Sequence, residues 1–106
     1  MDHASLFFTD IVLTTNKIIF LDEFLNVVNE ISAPSNGSHQ CDRVFSHKTQ
    51  DIFFVVCQAE EESPYVAAFK PVDNTTSYEQ FGVYNYFSID ETITKVELIG
   101  NTLLVQ

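Results

Sequence analysis

The stretch Ile18-Ile19-Phe20-Leu21-Asp22-Glu23-Phe24-Leu25-Asn26-Val27-Val28-Asn29-Glu30-Ile31 decides how the chain is read. Leu21, Phe24, Leu25, Val28 and Ile31 recur at three- and four-residue steps, the spacing that lines one face of an α-helix. Asp22 and Glu23 would then sit in a first turn, where carboxylates meet the positive end of the helix. Ser32-Ala33-Pro34 would close it, because a proline disfavours helical geometry in the residue before it. The start is open between Asn16 and Asp22, since Lys17-Ile18-Ile19-Phe20 also reads as a short strand entering the helix.

Outward from this segment the character is β. Ser5 to Thr15 is rich in aromatic and β-branched residues and part of it reads as a strand, with a helical reading open because Leu6, Asp10 and Leu13 do not separate the two periods. Ser35 to Gln40 is a polar loop by composition. Within Arg43 to Gln58, the unbroken apolar run Ile52 to Cys57 suits a central strand covered on both faces. Glu60-Glu61-Glu62-Ser63-Pro64 interrupts it, and Tyr65 to Lys70 returns as the second arm of a hairpin, ended by Pro71. A further strand is expected from about Gly82 to Ser88. Thr92 to Ile99 and Thr102 to Val105 flank Gly100-Asn101, two residues that tolerate positive φ and so favour a tight hairpin. The expected architecture is α+β: one main amphipathic helix packed on an antiparallel sheet of four to six strands. A single domain spans residues 1–106, with no internal repeat.

Composition agrees with a folded domain. The 106 residues are 45% hydrophobic, with ten Phe and four Tyr, far from the aromatic-poor signature of disorder. No apolar run reaches the ~18 residues that a membrane-spanning helix needs. The opening Met1-Asp2-His3-Ala4 carries no basic region of a secretory signal, so an intracellular protein, cytoplasmic or nuclear, is expected. Cys41 and Cys57 are too few for a disulfide scaffold. Cys57 reads as a small buried thiol, and the intracellular expectation argues against a Cys41–Cys57 bridge.

Fifteen Asp and Glu against five Lys and Arg leave a net charge of −10. Lys17, Arg43, Lys48, Lys70 and Lys95 are scattered, so no basic patch offsets this. Such a surface repels phosphate backbones and anionic membranes, which excludes direct nucleic-acid and membrane binding as expectations. It suits a basic protein partner.

Chemistry is harder to find. His39 or His47 with Cys41 would make a base and nucleophile, yet His39 and Cys41 point to opposite sides of an extended segment. His39, Cys41, Asp42 and His47 lack the paired short spacings of a structural zinc site, so no metal is expected. Gly37, Gly82 and Gly100 stand too far apart for a phosphate-cradling loop, and no cofactor is expected. The sequons Asn36-Gly37-Ser38 and Asn74-Thr75-Thr76 fall in loops and arise readily by chance.

The remaining signal is a surface. Tyr78, Phe81, Tyr84, Tyr86 and Phe87 are too many for one core face, and aromatics left outside are the usual anchors of protein interfaces. The expected function is a non-enzymatic protein–protein interaction module: an acidic adaptor, complex subunit or inhibitor. It would contact a basic partner through Tyr78, Phe81, Tyr84, Tyr86, Glu60, Glu61 and Glu62. A homodimer through the apolar C-terminal strand Leu103-Leu104-Val105 is a further expectation. Two alternatives stand beside it. One is a small cone-shaped α+β enzyme or ligand-binding protein drawing on His39, Asp42 or His47 beside an apolar cavity. The other is an inhibitor whose carboxylates imitate nucleic-acid phosphates.

Overall fold

The segment that decides the reading is two strands and a turn. In the computed structural model, Ile18 and Phe20 are fully buried while Lys17, Ile19 and Leu21 face the other way, a period of two. The chain leaves this strand at Asp22, reverses, and returns as a strand from Val27. The apolar residues here satisfy the helical period only by coincidence. β-Branched Ile18, Ile19, Val27 and Val28 favour the pleated alternative, and the residues that would form the helix's buried stripe are partly in solvent. The expected helix, and with it the α+β class, is therefore corrected: the described residues form ten strands in three antiparallel sheets, and no helix.

The structure describes residues 2–5, 9–14, 17–34, 39–47, 51–59, 62–72, 77–85, 93–99 and 102–106. The first sheet is a meander of β1 (Asp2–Ser5), β2 (Asp10–Leu13), β3 (Lys17–Leu21) and β4 (Val27–Ser32). The second repeats the plan with β5 (Gln40–Ser46), β6 (Phe53–Gln58), β7 (Tyr65–Pro71) and β8 (Tyr78–Tyr84). A hairpin of β9 (Val96–Ile99) and β10 (Thr102–Val105) follows, paired on either side of residues 100–101.

The units stack face to face, and two cores hold them. Between the first and second sheets lie Ile11, Leu13, Ile18 and Phe20 on one side, with Val44, Phe53, Val55, Ala67, Phe69 and Tyr78 on the other. Phe53 stacks on Phe69 at 4.8 Å and meets Phe20 and Tyr78 edge-on at 5.9 and 5.4 Å. Against the opposite face of the second sheet, Ile93 and Val96 pack on Phe54, Val56, Val66 and Ala68. This explains why β6 is apolar at every buried position: both its faces are covered.

Two bulges correct the alternation. β5 accommodates Asp42 as an extra residue, so Cys41 and Val44, three apart, both face the first core. In β8 the extra residue is Phe81, which places Tyr78 in the first core and Tyr84 beside the second. Cys41 lies directly opposite Cys57, and the two form a disulfide inside the first core. The expectation of a free buried thiol at Cys57 is corrected.

Candidate protein-docking site

The β3–β4 turn carries the most exposed large apolar side chains among the described residues. Phe24 is 75% exposed, Leu25 70%, Val27 61% and Val28 46%. A single exposed apolar residue is ordinary, but four within five positions at one hairpin tip are not.

The tip is built by Asp22. Its carboxylate Oδ1 accepts the backbone N–H of Phe24 and of Asn26, both at 2.9 Å, and its Oδ2 accepts the Asn26 side-chain amide at 3.3 Å. Its backbone carbonyl accepts the Leu25 N–H, and its own N–H donates to the Asn26 carbonyl, each at 3.0 Å. Asp is favoured at the first position of such turns because its side chain can take these bonds. The Asn26 backbone N–H is the largest influence holding the Asp22 carboxyl below its ordinary value, with the Phe24 N–H and the Asn26 side chain adding to it. A depressed carboxyl contributes order that is present above its ordinary range and is lost as the pH falls through the lowered value.

Leu25 closes the turn with φ of 65°. Three-residue hairpin loops place a left-handed residue here, and glycine is the residue that adopts it without cost. A leucine in this conformation carries strain of about 1 kcal/mol or more. Its side chain gains no burial in return. A strained backbone that holds an apolar side chain in water points to a contact made with something else.

The other expected residues are distributed differently. Tyr78 is buried, stacked on Phe20 at 4.9 Å, and its hydroxyl donates to Asp51 Oδ1 at 2.6 Å. It is a core residue and not an outer-face anchor. Tyr84 is half-buried beside the second core. Phe81 is 44% exposed on the β8 bulge, with Lys70 Nζ 5.8 Å above its ring. Glu62 is exposed, its Oε2 3.2 Å from His39 Nδ1. Glu60, Glu61 and Tyr86 lie outside the described residues.

Burial, and secondarily the hydrogen bond and charge of Asp51, push the Tyr78 phenol far above its ordinary value. A raised folded value gives stability that is fully present below about pH 10, where free tyrosine titrates, and that is lost as the pH rises through the folded value. In an alkaline absorbance titration, ionisation of Tyr78 should therefore coincide with unfolding. Substitution Tyr78→Phe should remove that late step, and an early, independent ionisation would show the buried bond to be absent.

The candidates for catalysis do not converge. His39 and His47 flank opposite ends of β5, about 25 Å apart along an extended strand. His39 Nε2 donates to the Ser63 carbonyl at 2.8 Å, and its ring lies 4.8 Å from that of Tyr65. Asp42 accepts the Gln58 side-chain amide at 3.4 Å. Cys41 is bridged and offers no thiolate. No group of three His, Cys, Asp or Glu side chains able to hold a metal occurs among the described residues.

Sequence reasoning assigned Phe24, Leu25 and Val28 to a helix and so missed the tip. The signal was Asp22 four residues before Asn26, two turn-forming side chains bracketing the reversal. Comparisons with known proteins give no match to a family model, to a curated protein or to a solved structure.

Proposed function

We propose that the protein is a non-enzymatic interaction module that inserts the β3–β4 tip into an apolar pocket on a basic protein partner. The observation that carries this reading is Leu25, exposed and conformationally strained at the centre of an apolar tip. A few buried anchor residues carry most of the binding energy at protein interfaces, and the Asp22 bonds to the Phe24 and Asn26 N–H groups pre-position Phe24 and Leu25. Asp22 and Glu23 border the anchors with negative charge, within a chain of net charge −10. A pocket with a basic rim is the complement, and such charge acts chiefly on association rate and specificity.

Leu25→Gly separates binding from folding. It removes the anchor while relieving the left-handed strain, so stability should hold or rise by about 0.5–1 kcal/mol. Recovery of a stoichiometric partner from native lysate should fall at least tenfold with Leu25→Gly and with Phe24→Ser, and high salt should weaken capture by the wild type. Equal recovery by wild type and both variants would remove the tip from the interface.

A further inference from the structure

We infer that the outer edge of β10 is a strand-addition site, which takes an extended, basic segment of a partner protein as a further strand of the third sheet. The site shares no residue with the tip and does not depend on it.

The hairpin register fixes which backbone groups the edge offers. Lys95 N–H donates to the Gln106 carbonyl at 3.0 Å, and Gln106 N–H donates to the Lys95 carbonyl at 2.8 Å. Antiparallel pairs alternate between those that exchange both bonds and those that exchange none. Counting back from Lys95–Gln106, Glu97–Leu104 and Ile99–Thr102 are bonded pairs, while Val96–Val105 and Leu98–Leu103 are not. Leu103 and Val105 therefore turn their N–H and C=O groups away from β9, toward an edge where no strand lies among the described residues. Such a row of main-chain groups is a template for another strand.

The other edges among the described strands are protected, by bulges, charges or a covering segment, the devices that stop edge pairing. β1 carries Asp2 and His3 and lies against β5, whose Val44 N–H the Asp2 carboxylate accepts at 2.8 Å. β5 also has the bulge at Asp42. β4 holds Val28 as an extra residue and bears Glu30. β8 has its bulge at Phe81 and bears Glu79. β9 bears Glu97, 3.6 Å from Lys95 Nζ. β10 reads Thr102-Leu103-Leu104-Val105, in regular register, without charge, proline or bulge.

The occupant follows from the same residues. Main-chain donors and acceptors at strand spacing take an extended backbone, and the side chains on either face of the edge set its pattern. Val105 is partly buried at the rim of the second core, and Leu104, on the opposite face, is 39% exposed. An added strand is therefore flanked by apolar side chains on both faces, which selects β-branched or other apolar residues in it. The chain that carries the edge has a net charge of −10, which attracts a segment with basic flanks and opposes a second copy of itself.

A fluorescent peptide of about eight residues, alternating valine with threonine between terminal lysines, tests this. N-methylated along one edge, it keeps one row of N–H groups and can join a single strand; methylated along both edges, it keeps none. In anisotropy titrations the first peptide should bind the purified chain, and the second should bind at least tenfold more weakly. Val105→Pro removes an outward N–H and leaves the bonds to β9 in place, so it should weaken binding about tenfold with an unchanged circular dichroism spectrum. Leu104→Lys, which puts a charge on the edge, should weaken it as much and covers the case in which Val105→Pro fails to fold. Leu25→Gly should leave peptide binding unaltered, so failure of this inference and failure of the tip reading are distinguishable. No binding of the first peptide, equal binding of the two, or binding undiminished by Leu104→Lys overturns the proposal. So does a wild-type dimer in light scattering that Val105→Pro or Leu104→Lys dissociates, because a second copy would then hold the edge.

Discussion

Replacing Phe53 with alanine is expected to lower stability by about 3–5 kcal/mol, the range for truncating a fully buried phenylalanine. Phe53 has no exposed surface and lies between Phe69, stacked at 4.8 Å, and the edges of Phe20 and Tyr78. Phe20 belongs to the first sheet and the other three to the second, so the cluster is the aromatic part of the joint between them. Truncation removes the transfer energy of the ring and leaves a void that stacked sheets, fixed by their ladders, cannot close. For a domain of this size the melting temperature should fall by roughly 12–30 °C. Phe81→Ala is the control: its ring is on the β8 bulge and 44% exposed, and its loss should cost about 0.5 kcal/mol. The double variant Phe20→Ala/Phe53→Ala should cost less than the sum of its parts, because the rings share one contact. A loss below about 1 kcal/mol for Phe53→Ala would mean that the sheets are not joined through this cluster.

The same cluster shows how far the sequence could be read. Phe53 to Gln58, Tyr65 to Lys70 and the two arms around Gly100-Asn101 were legible as strands, because β-branched and aromatic runs bounded by turn residues have one low-energy form. Their antiparallel pairing followed from the short connections. Residues 18–31 were not legible, because their apolar positions fit periods of both 3.6 and two. Only long-range packing of Ile18 and Phe20 on Phe53 and Tyr78 selects the second. The candidate site failed for a related reason. Simple alternation puts Tyr78 and Tyr84 on one face of β8, and the bulge at Phe81 sends them to opposite cores. The partner of the Tyr78 hydroxyl, Asp51, is 27 residues upstream, and nothing local announces it. The tip residues were read correctly as apolar and wrongly as buried, since exposure depends on what the rest of the chain leaves uncovered.

Reduction of the Cys41–Cys57 bridge should destabilise the protein by about 3 kcal/mol, and by a mechanism that Phe53→Ala does not share. The cysteines are 16 residues apart and face each other across β5 and β6, inside the same core as Phe53. In the folded state the β5–β6 ladder already holds these strands together, so the bridge adds little new contact there. Its action in the chain-entropy account falls on the unfolded chain, whose loop between the two residues it keeps closed. Denaturant unfolding separates the two mechanisms. Phe53→Ala should move the urea midpoint with an unchanged slope, because it alters the packing of the native state. Reduction should lower the midpoint and also steepen the slope, since an unbridged unfolded chain expands and exposes more surface. Thiol titration in denaturant should find no free thiol before reduction and two after it. Two thiols in unreduced protein would show that the bridge does not form. A lowered midpoint with an unchanged slope would place the effect in the folded joint, where Cys41 and Cys57 would then act as packing residues between the first two sheets.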